Sequence, residues 1–199
     1  MSVQQWASDF HVQFKIKTGA QVKNAIAYAL ANAVKWDWPC AWPDLLDILL
    51  KYIRTENPDL VDGSMRFLLE VAGQILDKHI TTLGPIILQE VHKVFTDVQK
   101  YRLRIREMAL DLFLTVCEVI CGAVFTNKSL VKLLRENILL PFSQALVMAL
   151  QANDGPALDN HLRAKIFQVL TSIVQVSPKE VLISLEEIIH TVIFFLNPF

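Results

Sequence analysis

The sequence is poor in residues that interrupt or cross-link a chain, with 3 cysteines, 6 glycines and 8 prolines among 199 residues. Cys40, Cys117 and Cys121 are too few, and odd in number, for a disulfide framework, which suits a reducing compartment. Cys117 and Cys121 share a helical face, yet no His, Cys or acidic pair stands at the complementary spacing a metal site needs. Buried thiols are therefore expected, with no metal. Scarce glycine argues against an all-β chain. Neither sign of charge dominates: 19 Lys and Arg against 20 Asp and Glu give a net charge of -1, so there is no global case for nucleic-acid binding.

Long hydrophobic runs are also missing. The mean hydropathy is +0.36. Even so, the longest stretch without a charged residue, Asn137 to Asn153, contains Pro141, Ser143, Gln144 and Gln151. It falls short of the roughly 20 apolar residues of a spanning helix. Gln4, Gln5, Ser8, Asp9 and His11 stand where a signal peptide would be apolar, so none is expected. Catalytic signatures are lacking too. There is no Gly-rich phosphate loop, HExxH, G-x-S-x-G or close carboxylate pair, and His11, His79, His92, His161 and His190 are isolated. Neither enzymatic activity nor a cofactor is expected.

What is present centres on Trp36-Asp37-Trp38-Pro39-Cys40-Ala41-Trp42-Pro43, with three tryptophans and two prolines in eight residues. Each proline turns the residue before it, Trp38 and Trp42, away from the α region, so an incoming helix should stop here. Pro43 suits the first position of a new helix, and Asp44 and Asp47 suit its positive end. The expectation is a corner between two helices plugged by Trp36, Trp38 and Trp42, whose rings bury large areas.

Apolar stripes at helical spacing fill the rest. Residues 1–19 are atypical, with Trp6, Phe10 and Phe14 able to form a short amphipathic helix. The stripes then run Val22, Ile26, Ala29, Leu30, Ala33; Leu45, Leu49, Ile53; Val61, Met65, Leu68, Ala72, Leu76; and Ile80, Leu83, Ile87, Val91, Phe95. They continue as Ile105, Ala109, Leu112, Val116, Ile120; Leu130, Leu134, Ile138, Phe142, Ala145, Ala149, kinked at Pro141; Leu162, Ile166, Val169, Ile173, Val176; and Val181, Leu185, Ile188, Val192, Leu196. Asn57-Pro58 and Asp154-Gly155-Pro156 read as breaks. No period-2 strand intervenes.

Alternate helices resemble each other. Val22-Lys23, Met65-Arg66, Ile105-Arg106 and Leu162-Arg163 each open one with an apolar residue and a base, and the bases lie 43, 40 and 57 residues apart. Two intervals fall at the 40–47 residues of HEAT units. Pro43, Pro85 and Pro141 each fall in the first helix of a pair. The expected fold is all-α, a HEAT-repeat α-solenoid over residues 20–199 as one continuous domain with about three full repeats and partial ends.

A HEAT array carrying Trp38-Pro39-Cys40-Ala41-Trp42-Pro43-Asp44-Leu45-Leu46 resembles the importin-β (karyopherin-β) superfamily, whose early repeats carry a WPxxWPxLL-type corner. The resemblance runs from about Lys23 to Asn197, omits the first 17 or so residues, and implies a slice of a much longer carrier. It further implies a nuclear transport receptor of cytoplasm and nucleus. Its partners would be the Ran GTPase in its GTP form, basic cargo such as histones, and nuclear pore proteins, without direct nucleic-acid contact or membrane insertion. The alternative is a HEAT scaffold subunit of a multi-protein complex, which accounts for the repeats but not for the paired Trp-Pro corner.

The densest charge cluster is Lys100-Tyr101-Arg102-Leu103-Arg104-Ile105-Arg106, opening a helix where cations oppose the dipole. It reads either as ion pairs to acids such as Asp62, Glu70 or Glu107, or as a contact to an acidic partner. Arg106 holds the repeat's basic position and reads as structural. Arg102 and Arg104 are the partner-binding candidates, since second helices line the concave face in the family. Asp59, Asp62, Glu70, Asp111 and Glu118 are candidates for basic cargo.

Overall fold

The computed structural model describes residues 20–40, 42–124, 139–151, 159–176 and 190, and every regular element among them is helical. In chain order these are α1 (Ala20–Asp37), α2 (Leu45–Ile53), α3 (Pro58–Thr96), α4 (Leu103–Val124), α5 (Leu140–Gln151) and α6 (Asn160–Val176). The fold is all-α and compatible with a HEAT-repeat α-solenoid. Contacts group the chain into two compact units, Met1–Ile75 and Leu76–Phe199. The α3 run crosses that division but is not one helix: His79, at φ -128° and ψ 17°, leaves helical geometry. Two helices result, as the two stripes on either side of it predict.

In the first unit, α1 corrects the expected stripe. Ala27, Ala31 and Val34 are buried, whereas Val22 and Ala29 are exposed and Leu30 and Ala33 only half-buried. Apolar residues occur all round α1, so periodicity alone does not choose a face. Two alanines let a neighbouring helix approach more closely than larger side chains would. Asn24 lies on the same face and accepts a hydrogen bond from Arg66 Nη1. Leu45, Leu49 and Ile53 of α2 are buried as expected, joined by Leu50. The next helix begins on Pro58, where a missing N–H costs nothing. Asn57 Oδ1 caps it, accepting from the Asp59 N–H at 3.0 Å and the Leu60 N–H at 3.3 Å. Val61, Met65, Leu68 and Ala72 are on its buried face.

The second unit packs around Phe142 of α5. Its ring stacks on Phe113 of α4 at 3.6 Å and on Phe95 of α3 at 5.6 Å, while His92 meets it edge-on at 5.8 Å. Ile87, Val91 and Phe95, then Ile105, Ala109, Leu112 and Val116, then Leu162, Ile166, Val169 and Ile173 are all buried, as predicted, whereas Leu83 of the first of these stripes is only half-buried. On α5 the buried face is Phe142, Ser143, Leu146 and Leu150, preceded by the buried Leu139, with Ala145 and Ala149 at its margin. Pro141 stands in the first turn of α5, the position proline tolerates. Asp159 Oδ1 caps α6 by accepting from His161 N–H at 2.9 Å and Leu162 N–H at 3.0 Å. The segment 1–19, the stripe positions 130–138, the loop at 154–156, the expected last helix apart from residue 190, and the side chains of Ile26, Leu76, Ile80, Ile120, Cys121 and Val176 lie outside the described residues.

Candidate functional site

The Trp-Pro stretch lies between α1 and α2. Trp42 is buried at 7% exposure and Trp38 is half-buried, but Trp36 is 81% exposed. That departs from a corner plugged by three indoles. Trp36 lies at the end of α1 on the side away from Ala27, Ala31 and Val34, and the Lys35 ammonium sits 5.7 Å from its ring. The Trp38–Pro39 peptide bond is cis, and Pro39 and Pro43 are exposed. Pro43 precedes α2 rather than opening it. The Leu45 N–H donates to the Trp42 carbonyl at 3.2 Å, and Asp44 has φ -88° and ψ 7°. Those are the angles of the third residue of a type I turn, whose second position favours proline.

The basic cluster opens α4 as expected, and the fold divides its members. Arg106 is 2% exposed: its Nε–H donates to the Phe95 carbonyl at 2.7 Å and its guanidinium lies 5.2 Å from the Phe95 ring. Phe95 belongs to the last turn of α3, where carbonyls lack helical partners and attract cations. Burial lowers the Arg106 pKa from its ordinary value. Arg66, its counterpart in the first unit, is also buried and holds Asp62 at 2.8 Å. The recurring base of these helices is thus a packing device at both positions.

Arg102 and Arg104 are different. Both are exposed, and neither side chain has an ion-pair partner among the described residues. Two of the three acids suggested as their partners are engaged elsewhere. Asp62 holds Arg66, and Glu107 meets His161 Nδ1 of α6 at 2.5 Å. One turn further along, Asp111 pairs with Lys165 of α6. These two links tie α4 to α6. Asp62 and Asp111 are thus already paired with Arg66 and Lys165, whereas Asp59, Glu70 and Glu118 are exposed.

The turn presenting the two arginines is tightly bonded. Asp97 Oδ1 accepts the Lys100 N–H at 3.0 Å, and the Asp97 carbonyl accepts the Tyr101 N–H at 3.1 Å. Tyr101 is buried beneath it, with Lys100 Nζ 5.4 Å from the ring. Burial raises the Tyr101 pKa, partly opposed by Lys100. The Arg102 carbonyl then accepts the N–H groups of Ile105 at 2.9 Å and Arg106 at 3.2 Å, starting α4. Sequence reasoning passed over Asp97 and gave Tyr101, inside the basic cluster, no role of its own. An Asp three residues before a backbone donor is a turn signal that would have found the first.

No helix among the described residues is long and apolar enough to cross a membrane. Among them, no group of three or more His, Cys, Asp or Glu is placed to hold a metal. The described residues form an all-helical chain compatible with a HEAT-repeat array. No protein-family model matches the chain. A stretch of 160 residues, 80% of it, is 28% identical to Importin-9 of Drosophila melanogaster. The match spans 15% of that protein, so the relationship to an importin is partial and distant.

Proposed function

We propose that the chain is a segment of a nuclear transport receptor of the importin type, moving between cytoplasm and nucleus. It acts by binding and not by bond chemistry. The receptor takes up basic cargo such as histones, passes nuclear pore proteins, and releases its cargo when the Ran GTPase binds in its GTP form. The release is a linkage between two binding free energies. The observation that carries this reading is the 28% identity to Importin-9 over 160 residues. The exposed Arg102 and Arg104, left without internal ion pairs among the described residues, are the contact this segment offers to an acidic surface of the GTPase. Long-range attraction would steer that encounter and make it salt-sensitive.

The test is a pull-down of the full-length chain with GTP-loaded Ran and with histone dimers. Both should be retained. Failure to hold either would overturn the reading in favour of a structural scaffold. Reversing both arginines, Arg102→Glu with Arg104→Glu, should weaken Ran binding without lowering the melting temperature.

A further inference from the structure

We propose that Asp97 is a positioning residue for the Arg102 and Arg104 pair. The inference rests on the reading that this pair meets an acidic partner. Two long, exposed cations contribute little when each must be ordered on binding, because rotamer and loop entropy offset the Coulomb gain. A rigid backbone beneath them removes the loop's share of that cost.

The structure provides such a platform on both sides of the pair. Before it, Asp97 closes the turn twice, with its side chain on the Lys100 N–H at 3.0 Å and its carbonyl on the Tyr101 N–H at 3.1 Å. Tyr101, at 8% exposure, pins the turn to the protein. After it, Arg106 anchors the first turn of α4 to the Phe95 carbonyl at 2.7 Å. Only Arg102 to Ile105 lie between the two anchors, and both candidate cations fall in that interval. Asp97 is itself exposed, so it adds little to the core. Its formal charge opposes the sign of the pair. If Asp97 acted only through charge, it would reduce affinity for an acidic partner; as a positioning residue it raises it.

The opposite signs make the idea testable. In the full-length chain, Asp97→Ala should weaken binding to GTP-loaded Ran by about fivefold, roughly the worth of one such hydrogen bond. Asp97→Asn keeps an acceptor oxygen and should bind at least as tightly as the native chain. Amide exchange at Lys100 and Tyr101 should accelerate in Asp97→Ala and not in Asp97→Asn. Equal or tighter binding by Asp97→Ala, while the double reversal of Arg102 and Arg104 still weakens it, would overturn the positioning role and leave the proposed function intact. No effect of the double reversal would remove the partner contact itself, and the positioning role with it.

Discussion

Arg106 and Phe95 are joined twice: the guanidinium donates to the Phe95 carbonyl at 2.7 Å and lies 5.2 Å from the Phe95 ring. One residue thereby satisfies the end of α3 and covers the aromatic ring that continues into Phe142, 5.6 Å away. Arg106 Nη1 is buried without a partner among the described residues, so the contact is made at some desolvation cost.

Arg106→Ala should therefore destabilise the protein by about 2–3 kcal/mol, from a lost charge-assisted hydrogen bond and lost packing. Arg106→Lys should recover little, because an ammonium neither stacks flat on Phe95 nor keeps the guanidinium fork. Urea unfolding of the three proteins measures this. A lysine variant as stable as the native chain would show that charge alone suffices.

The two ends of the Trp-Pro stretch should respond differently. Trp42→Ala removes a ring that is 7% exposed and should cost about 3–5 kcal/mol. Trp36→Ala removes one that is 81% exposed and should stay within about 0.5 kcal/mol. Melting temperatures measured side by side decide the matter. Equal losses would place Trp36 inside the corner after all.

His92 gives the second unit a pH dependence. Burial holds its pKa below the ordinary 6.5, partly offset by a hydrogen bond with the Pro141 backbone. With the folded pKa depressed, the unfolded chain takes up a proton first as pH falls. The neutral-His contribution is complete above 6.5 and is lost as pH drops through the interval down to the folded value. His92→Gln should flatten this part of the stability profile. Unfolding free energies compared at about pH 8 and pH 5 test it, and an unchanged profile in the variant would assign the acid sensitivity to other groups.

The helices were legible where the stripe read at helical spacing is the face that packs inward. Ile105, Ala109, Leu112 and Val116 form such a stripe, and they are buried. On α1 the apolar residues encircle the helix, and the pattern favoured the wrong face. The break at His79 was legible as a change of stripe, although the hydrogen-bonded run continues through it. The candidate site was legible only as a cluster of charge. Seven consecutive residues suggested a basic opening to a helix, but their spacing could not say which arginine turns in.

By itself the sequence determined that this chain is helical and built of paired apolar stripes at a roughly forty-residue interval, because a 3.6-residue period is a local property of order along the chain. The Asn57 and Asp159 caps belong to that local level, each side chain reaching an N–H two or three residues on. Tertiary structure alone decided that Ala27 and Ala31 face inward while Trp36 faces water, and that Arg106 is buried while Arg102 and Arg104 are not. Which face is covered, and which charge finds a carbonyl or a ring, depends on neighbours far away in sequence. Phe142 reaching Phe113 and Phe95, and Arg66 reaching Asn24, are contacts that no local pattern encodes.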